Sequence, residues 1–199
     1  MYPFSAIAFD LDNTLIDRDG AFRRLISSWL GEVNESLIDE IVNLDNHGHS
    51  SREELFAVLS KEIGAGAELW NRFKSEFPGY FEPDPVVTGV LEALRDDGIA
   101  LAVLSNGGGK LQRAKMQAAG IDSFFTPSRI LISGELGVAK PDARAFQLVC
   151  ERLGRPAGEI LFVGDHPEID IAGAAAYGMQ TCLITHHPGD LTELCAATT

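Results

Sequence analysis

The spacing of apolar positions along this chain changes twice, and the changes divide it. Ser5-Ala6-Ile7-Ala8-Phe9 is a short, continuous apolar run, which predicts a strand buried on both faces as in a parallel sheet. Beyond Leu15 the period becomes helical. Phe22, Leu25, Ile26, Trp29 and Leu30 fall on one stripe, and Leu37, Ile38, Ile41 and Val42 on a second. A third helix opens at Ser51, with Glu54 at capping-box spacing, and carries Leu55, Val58, Leu59 and Ile63. Trp70, Phe73 and Phe77 mark a fourth. No strand period interrupts residues 17–82, and Pro83 and Pro85 stiffen the return.

From Pro85 onward helical stripes and buried strands alternate, the mark of a parallel α/β sheet. Val87, Val90, Leu91 and Leu94 precede the strand run 99–104. A helix through Leu111 and Ala118 precedes Ile130-Leu131-Ile132. Phe146, Val149, Cys150 and Leu153 precede Ile160-Leu161-Phe162-Val163, and a helix ending at Gly178 precedes a strand over 179–184. The expected organisation is an α/β core of residues 1–16 and 83–199, interrupted by an all-helical domain of residues 17–82.

Charge narrows the partners. With 16 basic and 29 acidic residues the net charge is −13, which argues against nucleic acid or an anionic membrane surface. A phosphorylated ligand would need local cations. Cys150, Cys182 and Cys195 form no CxxC pair and read as buried thiols of a reducing cytoplasm. No apolar run approaches the length of a membrane span, and the N-terminus has no basic leader pattern, so a soluble cytoplasmic protein is expected.

The chemistry collects where strands end. Asp10 and Asp12 follow the first strand, and the carboxyl end of a parallel sheet is where ligands bind. Two residues apart in extended backbone, their side chains would point the same way. At about 4 Å and an effective dielectric near 20 they would repel by about 4 kcal/mol, so a positive group is expected between them. Ser105 ends the next strand, and Asn106, Gly107 and the glycines after it let backbone N–H groups approach an oxyanion. Lys140 precedes Pro141, which suits the first turn of a helix and would aim the ammonium back over the site. Asp165 follows the strand over 160–163, and Asp170 lies five residues on. Asp10, Asp12 and Asp165 bring the hard oxygen ligands that Mg²⁺ prefers, with a substrate phosphate completing the shell.

These segments, in this order, resemble the haloacid dehalogenase superfamily. Its Asp-x-Asp-x-Thr motif is matched by Asp10, Asp12 and Thr14, its Ser/Thr motif by Ser105, its lysine motif by Lys140, and its Gly-Asp motif with a further acid by Gly164, Asp165 and Asp170. The resemblance implies a Rossmann-like core with an inserted helical cap. Asp12 is present where the family's dehalogenases lack that acid, which points to the phosphatase branch. It further implies Asp10 as nucleophile, Asp12 as acid and base, and Mg²⁺ held by Asp10, Asp165 and the Asp12 carbonyl, with Asp170 in support. Lys140, Ser105 and the N–H of Asn106 would steady the phosphoryl oxygens, Thr14 and Gly107 would complete the substrate site, and a small phosphorylated metabolite would be the partner. His49 and Arg52, on the polar bend 47–52, are the candidate readers of the leaving group, with Asp17, Arg18, Arg23 and Arg24 next; His186-His187 reads as surface. A phosphomutase of the same family and a phospho-receiver switch are the competing readings. Substrate identity and oligomeric state stay open.

Overall fold

A computed structural model describes residues 3–31, 35–64, 68–184 and 191; Cys195 and His186-His187 lie outside these. The chain divides into two compact units, one of residues 1–17 with 82–199 and the other of residues 18–81.

The first unit is a five-stranded parallel sheet. Its strands are β1 (Ala6–Phe9), β2 (Ala100–Ser105), β3 (Ile130–Ile132), β4 (Ile160–Gly164) and β5 (Gln180–Leu183), in the order β3-β2-β1-β4-β5. Phe9 lies opposite Val103 on one side and Val163 on the other. All four residues of β1 are buried, as the unbroken apolar run requires of a central strand. The order places the topological switch beside β1, between two strands whose connections leave in opposite directions, and that is where an open α/β sheet forms its crevice.

Helices cover the sheet. Of these, α5 (Pro85–Asp96) begins at Asp84, whose carboxylate accepts from the N–H groups of Val86 and Val87, with Pro85 at the first helical position. Helix α6 (Gly109–Ala118) follows β2, and a short helix α7 (Ser133–Leu136) follows β3. Helix α8 (Ala143–Leu153) ends on left-handed Gly154. On one face Phe146 of α8 meets Phe162 of β4 edge to face, ring centres 5.4 Å apart, inside a cluster with Ala8, Leu104, Val149 and Met179. Burial of each such ring stabilises the fold by about 1.5–3 kcal/mol. Glycine at 173 allows close approach, since a Cβ there would lie 2.9 Å from the Phe146 ring.

Two expected elements differ. Helix α8 starts at Ala143 with Asp142 as its N-cap, so Pro141 precedes the helix; Asp142 accepts from the Arg144 N–H and thereby takes the capping position. The helix expected up to Gly178 is a wide π-helical turn, Pro167–Ala172, followed by α9 (Gly173–Ala176). The imidazole Nδ1 of His166 accepts from the N–H groups of Glu168 and Ile169 and opens that turn. Cys150 and Cys182 are partly exposed rather than buried.

Among the described residues the second unit carries four α-helices, α1 (Arg18–Leu30), α2 (Glu35–Asp45), α3 (Arg52–Ile63) and α4 (Leu69–Glu76). Phe22, Phe73 and Phe77 form an aromatic centre with ring separations of 4.7–6.3 Å. Ser51 caps the third helix by accepting from the Glu54 N–H. Among the described residues no helix is long and apolar enough to cross a membrane.

Candidate active site

Asp10 is the first residue past β1, and its N–H donates to the Val163 carbonyl of β4 at 2.8 Å. The end of the central strand is thus pinned to its neighbour where β4 delivers Asp165. The carboxylates of Asp10, Asp165 and Asp170 converge, with ligating oxygens within 4.8 Å of one another. Gly164 makes that convergence possible: a Cβ there would lie 2.4 Å from the Asp170 Oδ2. Asp170 is 1 % exposed, accepts the His166 N–H at 3.2 Å, and stands 2.7 Å from Lys140 Nζ.

Lys140 joins this group from the loop before α8. Its ammonium donates to Asp10 and lies 5.5 Å from the centre of the Phe162 ring. Asn106 holds it there, because the Asn106 Oδ1 accepts the Lys140 N–H while Nδ2 donates to the Lys140 carbonyl, each at 2.9 Å.

Three carboxylates face one ammonium, and the titration follows from that excess. Burial pushes the Asp10 carboxyl above the usual carboxylate range; Lys140 opposes the shift, and Asp170 and Asp165 add to it. Burial, followed by the Asp170 charge, raises Asp165 to about 6. Burial alone would lower Lys140, but the Asp10 and Asp170 charges outweigh it and hold the ammonium above its ordinary value. A divalent cation satisfies such a set. The donors are hard oxygens, and their net negative charge survives pairing with Lys140, so the residues present fit Mg²⁺.

Asp12 is placed differently from the expectation. Strand geometry ends at Phe9, the Leu11 carbonyl accepts from Leu15 and Ile16, and Asn13 takes a left-handed φ of 59°. Side-chain alternation therefore does not extend beyond Asp10, and each of the two acids has its own lysine. The Asp12 carboxylate lies with Lys115 Nζ, 2.9 Å from both its oxygens, and accepts from Gln112 Nε2 at 2.9 Å. It is not part of the three-acid cluster.

The remaining candidates divide between the two units. Ser105 is buried and accepts from Gln112 Nε2 at 2.7 Å. Thr14 is fully buried, and its hydroxyl has no hydrogen-bond partner among the described residues. Gly107 is already engaged. Its N–H donates to Ser133 Oγ at 2.9 Å and its carbonyl accepts from Gly134 N–H at 3.0 Å, so its N–H is not offered to a ligand as expected. In the helical unit His49 is exposed on the bend after the second helix. Arg52 is anchored, donating to Asp45 at 2.7 Å and to the Gly48 carbonyl at 3.0 Å. Arg18, expected as a possible reader, is 2 % exposed and paired with the buried Asp45.

Sequence reasoning missed Gln112, Lys115 and the clamp by the Asn106 side chain. A signal was present: Gln112 and Lys115 sit at i, i+3 with Met116 on the inward stripe of α6, where solvated polar residues do not belong.

A family profile for haloacid dehalogenase-like hydrolases matches residues 4–178. The chain is 31 % identical over 196 residues to a glyceraldehyde 3-phosphate phosphatase of Methanopyrus kandleri, covering 90 % of this chain and 83 % of that protein. It is 34 % identical over 217 residues to a ribulose-1,5-bisphosphate 5-phosphatase of Halopiger xanaduensis, covering 95 % and 88 %. A phosphoserine phosphatase of Thermus thermophilus is 36 % identical over 136 residues, 65 % of this chain but 52 % of that protein, so the match spans about half of that relative. The fold is similar to that of the magnesium-bound HAD-hydrolase YfnB from Bacillus subtilis, with a TM-score of 0.73, 22 % identity and 98 % coverage of both chains. With a profile spanning the core from before β1 to past α9, the chain belongs to the haloacid dehalogenase-like hydrolase family.

Proposed function

We propose that this hydrolase is a Mg²⁺-dependent phosphatase that cleaves a small-molecule phosphate monoester through a phosphoryl group carried on Asp10. The observation that carries the reading is the meeting of Asp10, Asp165, Asp170 and Lys140 at the carboxyl ends of β1 and β4. The phosphatase names of several relatives, which act on small phosphorylated compounds, support it.

Asp10, Asp165 and Asp170 would hold the metal together with the Asp12 carbonyl. When bound, it supplies charge stabilisation for the phosphoryl group and screens the nucleophile from its anionic substrate. The Asp10 carboxylate oxygen attacks phosphorus as the ester P–O bond breaks, and Asp12 gives its proton to the departing oxygen, which leaves as an alcohol. Water then attacks the same phosphorus, Asp12 takes its proton, and the bond from Asp10 to phosphorus breaks to release phosphate. Lys140 and the Ser105 hydroxyl balance charge on the phosphoryl oxygens.

The helical unit of residues 18–81 takes the role of a cap that excludes water and reads the leaving group. His49 is an exposed side chain on its polar bend, and Arg52 fixes the bend through Asp45. Phosphate release from a panel of small phosphate esters, with Mg²⁺ and again with EDTA, tests the reading. Release from a few related esters that stops with EDTA is expected. No release from any ester by folded protein would overturn it in favour of a phosphomutase or a phospho-switch, and a stable phosphorylated chain without turnover would select the switch.

A further inference from the structure

The mechanism above needs Asp12 aimed at a leaving oxygen and Ser105 presenting a proton to the phosphoryl group. Two side chains of α6 meet both residues. Gln112 and Lys115 are 2 % and 3 % exposed, although polar side chains of this length are rarely buried without a partner. Three residues apart on one helix, they share a face. Their neighbour Arg113 instead pairs with Glu135 at the surface.

The chemistry of the contacts fixes their polarity. In its ionised form, in which it takes the proton of the attacking water, the Asp12 carboxylate only accepts, so the amide group that Gln112 turns to it is its NH₂, 2.9 Å from Oδ2. The second N–H of that same nitrogen reaches Ser105 Oγ at 2.7 Å. Ser105 therefore accepts on that side, and its single proton is left to point elsewhere. Lys115 Nζ lies 2.9 Å from each Asp12 oxygen, which sets the plane of the carboxylate. The loop leaves room for this: Gly107 has φ +147°, and a Cβ there would lie 3.0 Å from Gln112 Cδ.

We infer that Gln112 and Lys115 are positioning residues, which aim the Asp12 carboxylate and direct the Ser105 proton toward the phosphoryl oxygens. The inference rests on the reading of Asp12 as acid and base. Its consequence is specific. Loss of either side chain leaves the nucleophile and the metal ligands in place but loosens the group that protonates the leaving oxygen, so the loss is greatest for leaving groups that need that proton.

The test is kcat/KM for phenyl phosphate, a poor leaving group, and para-nitrophenyl phosphate, whose anion leaves readily. Both are measured for the Mg²⁺-loaded full chain and for Lys115→Met, Gln112→Leu, Asp12→Asn and the doubles with Asp12→Asn. Each single change at 112 or 115 is expected to slow phenyl phosphate about tenfold more than para-nitrophenyl phosphate. It is expected to add little once Asp12 is Asn. Gln112→Leu, which leaves no charge unpaired, carries the test if Lys115→Met does not fold. If Asp12→Asn discriminates between the esters but the two neighbours slow both equally, or add fully to it, the inference is overturned alone. If Asp12→Asn itself does not discriminate, the acid role of Asp12 falls and the inference with it.

Discussion

Asn106 and Lys140 hold each other, 34 residues apart, through two reciprocal hydrogen bonds of 2.9 Å between one side-chain amide and one main-chain peptide pair. The residue after β2 thereby sets where the loop before α8 delivers its ammonium. Asn106→Ala leaves the Lys140 charge in the chain but frees its backbone. We expect kcat to fall by about 10–100-fold, as misplacement of a charge-stabilising group does, with about 1–3 kcal/mol of lost stability from the two unmet peptide groups. Steady-state kinetics beside a denaturant titration measure both. Unchanged kcat in a folded variant would show that Lys140 needs no clamp.

The three-acid cluster makes metal affinity and stability depend on pH in opposite senses. Asp165, raised to about 6 in the folded chain from 3.8, binds its proton more tightly when folded. Without metal it therefore favours the fold fully below the unfolded value, and that contribution is lost as pH rises through about 6. Buried Asp10 acts in the same direction. Metal competes with those protons, so stabilisation by Mg²⁺ grows as pH rises through the same window. At a hundredfold excess over Kd it amounts to about 2.7 kcal/mol. Thermal unfolding with Mg²⁺ and with EDTA across that range checks the sign; a metal-induced shift that shrinks with rising pH would contradict it.

Gly164 is expected to tolerate no side chain. A Cβ 2.4 Å from Asp170 Oδ2 has to displace that carboxylate, which is buried and paired with Lys140. Gly164→Ala is expected to weaken Mg²⁺ binding at least about tenfold, as loss of a supporting partner does, and calorimetric titration of the metal reads this directly. Binding as tight as in the unchanged protein would show that Asp170 plays no part in holding the metal.

In the helical unit the buried pair Arg18–Asp45 is structural. Asp45 is fully buried and also accepts from Arg52 at 2.7 Å and from the Gly48 N–H at 2.9 Å. Asp45→Ala leaves Arg18 with Asp19 alone and removes the buried carboxylate that Arg52 and the Gly48 N–H share, and the expected cost is about 3 kcal/mol. An unaltered denaturant midpoint would contradict the pairing.

The legible parts of the molecule are those set by local rules. A buried apolar run followed by an acid is visible in Phe9-Asp10 and again in Val163-Gly164-Asp165, and the helical stripe of Phe22, Leu25 and Ile26 is visible without any knowledge of what it packs against. Where local geometry departs from the regular period, the reading fails. Asp12 lies past the end of β1 beside a left-handed Asn13, so alternation no longer says where its side chain goes. Its partners, Gln112 and Lys115, are 100 and 103 residues away. No rule of spacing connects residues at that separation; only the topology, with α6 following a strand adjacent to β1, does so. The burial of Arg18 was hidden for the same reason, since its partner Asp45 belongs to a different helix.

Detection of a phosphoryl group on the chain decides whether Asp10 is the nucleophile. Protein mixed with a hydrolysed ester and Mg²⁺ is quenched in acid during turnover, and the modified peptide is located by mass spectrometry. One phosphoryl group, on Asp10, is expected in the wild-type chain. In Asp10→Asn neither that group nor Mg²⁺-dependent phosphate release is expected, with the fold retained. A phosphoryl group on another residue, or near-normal release by Asp10→Asn, would contradict that role of Asp10.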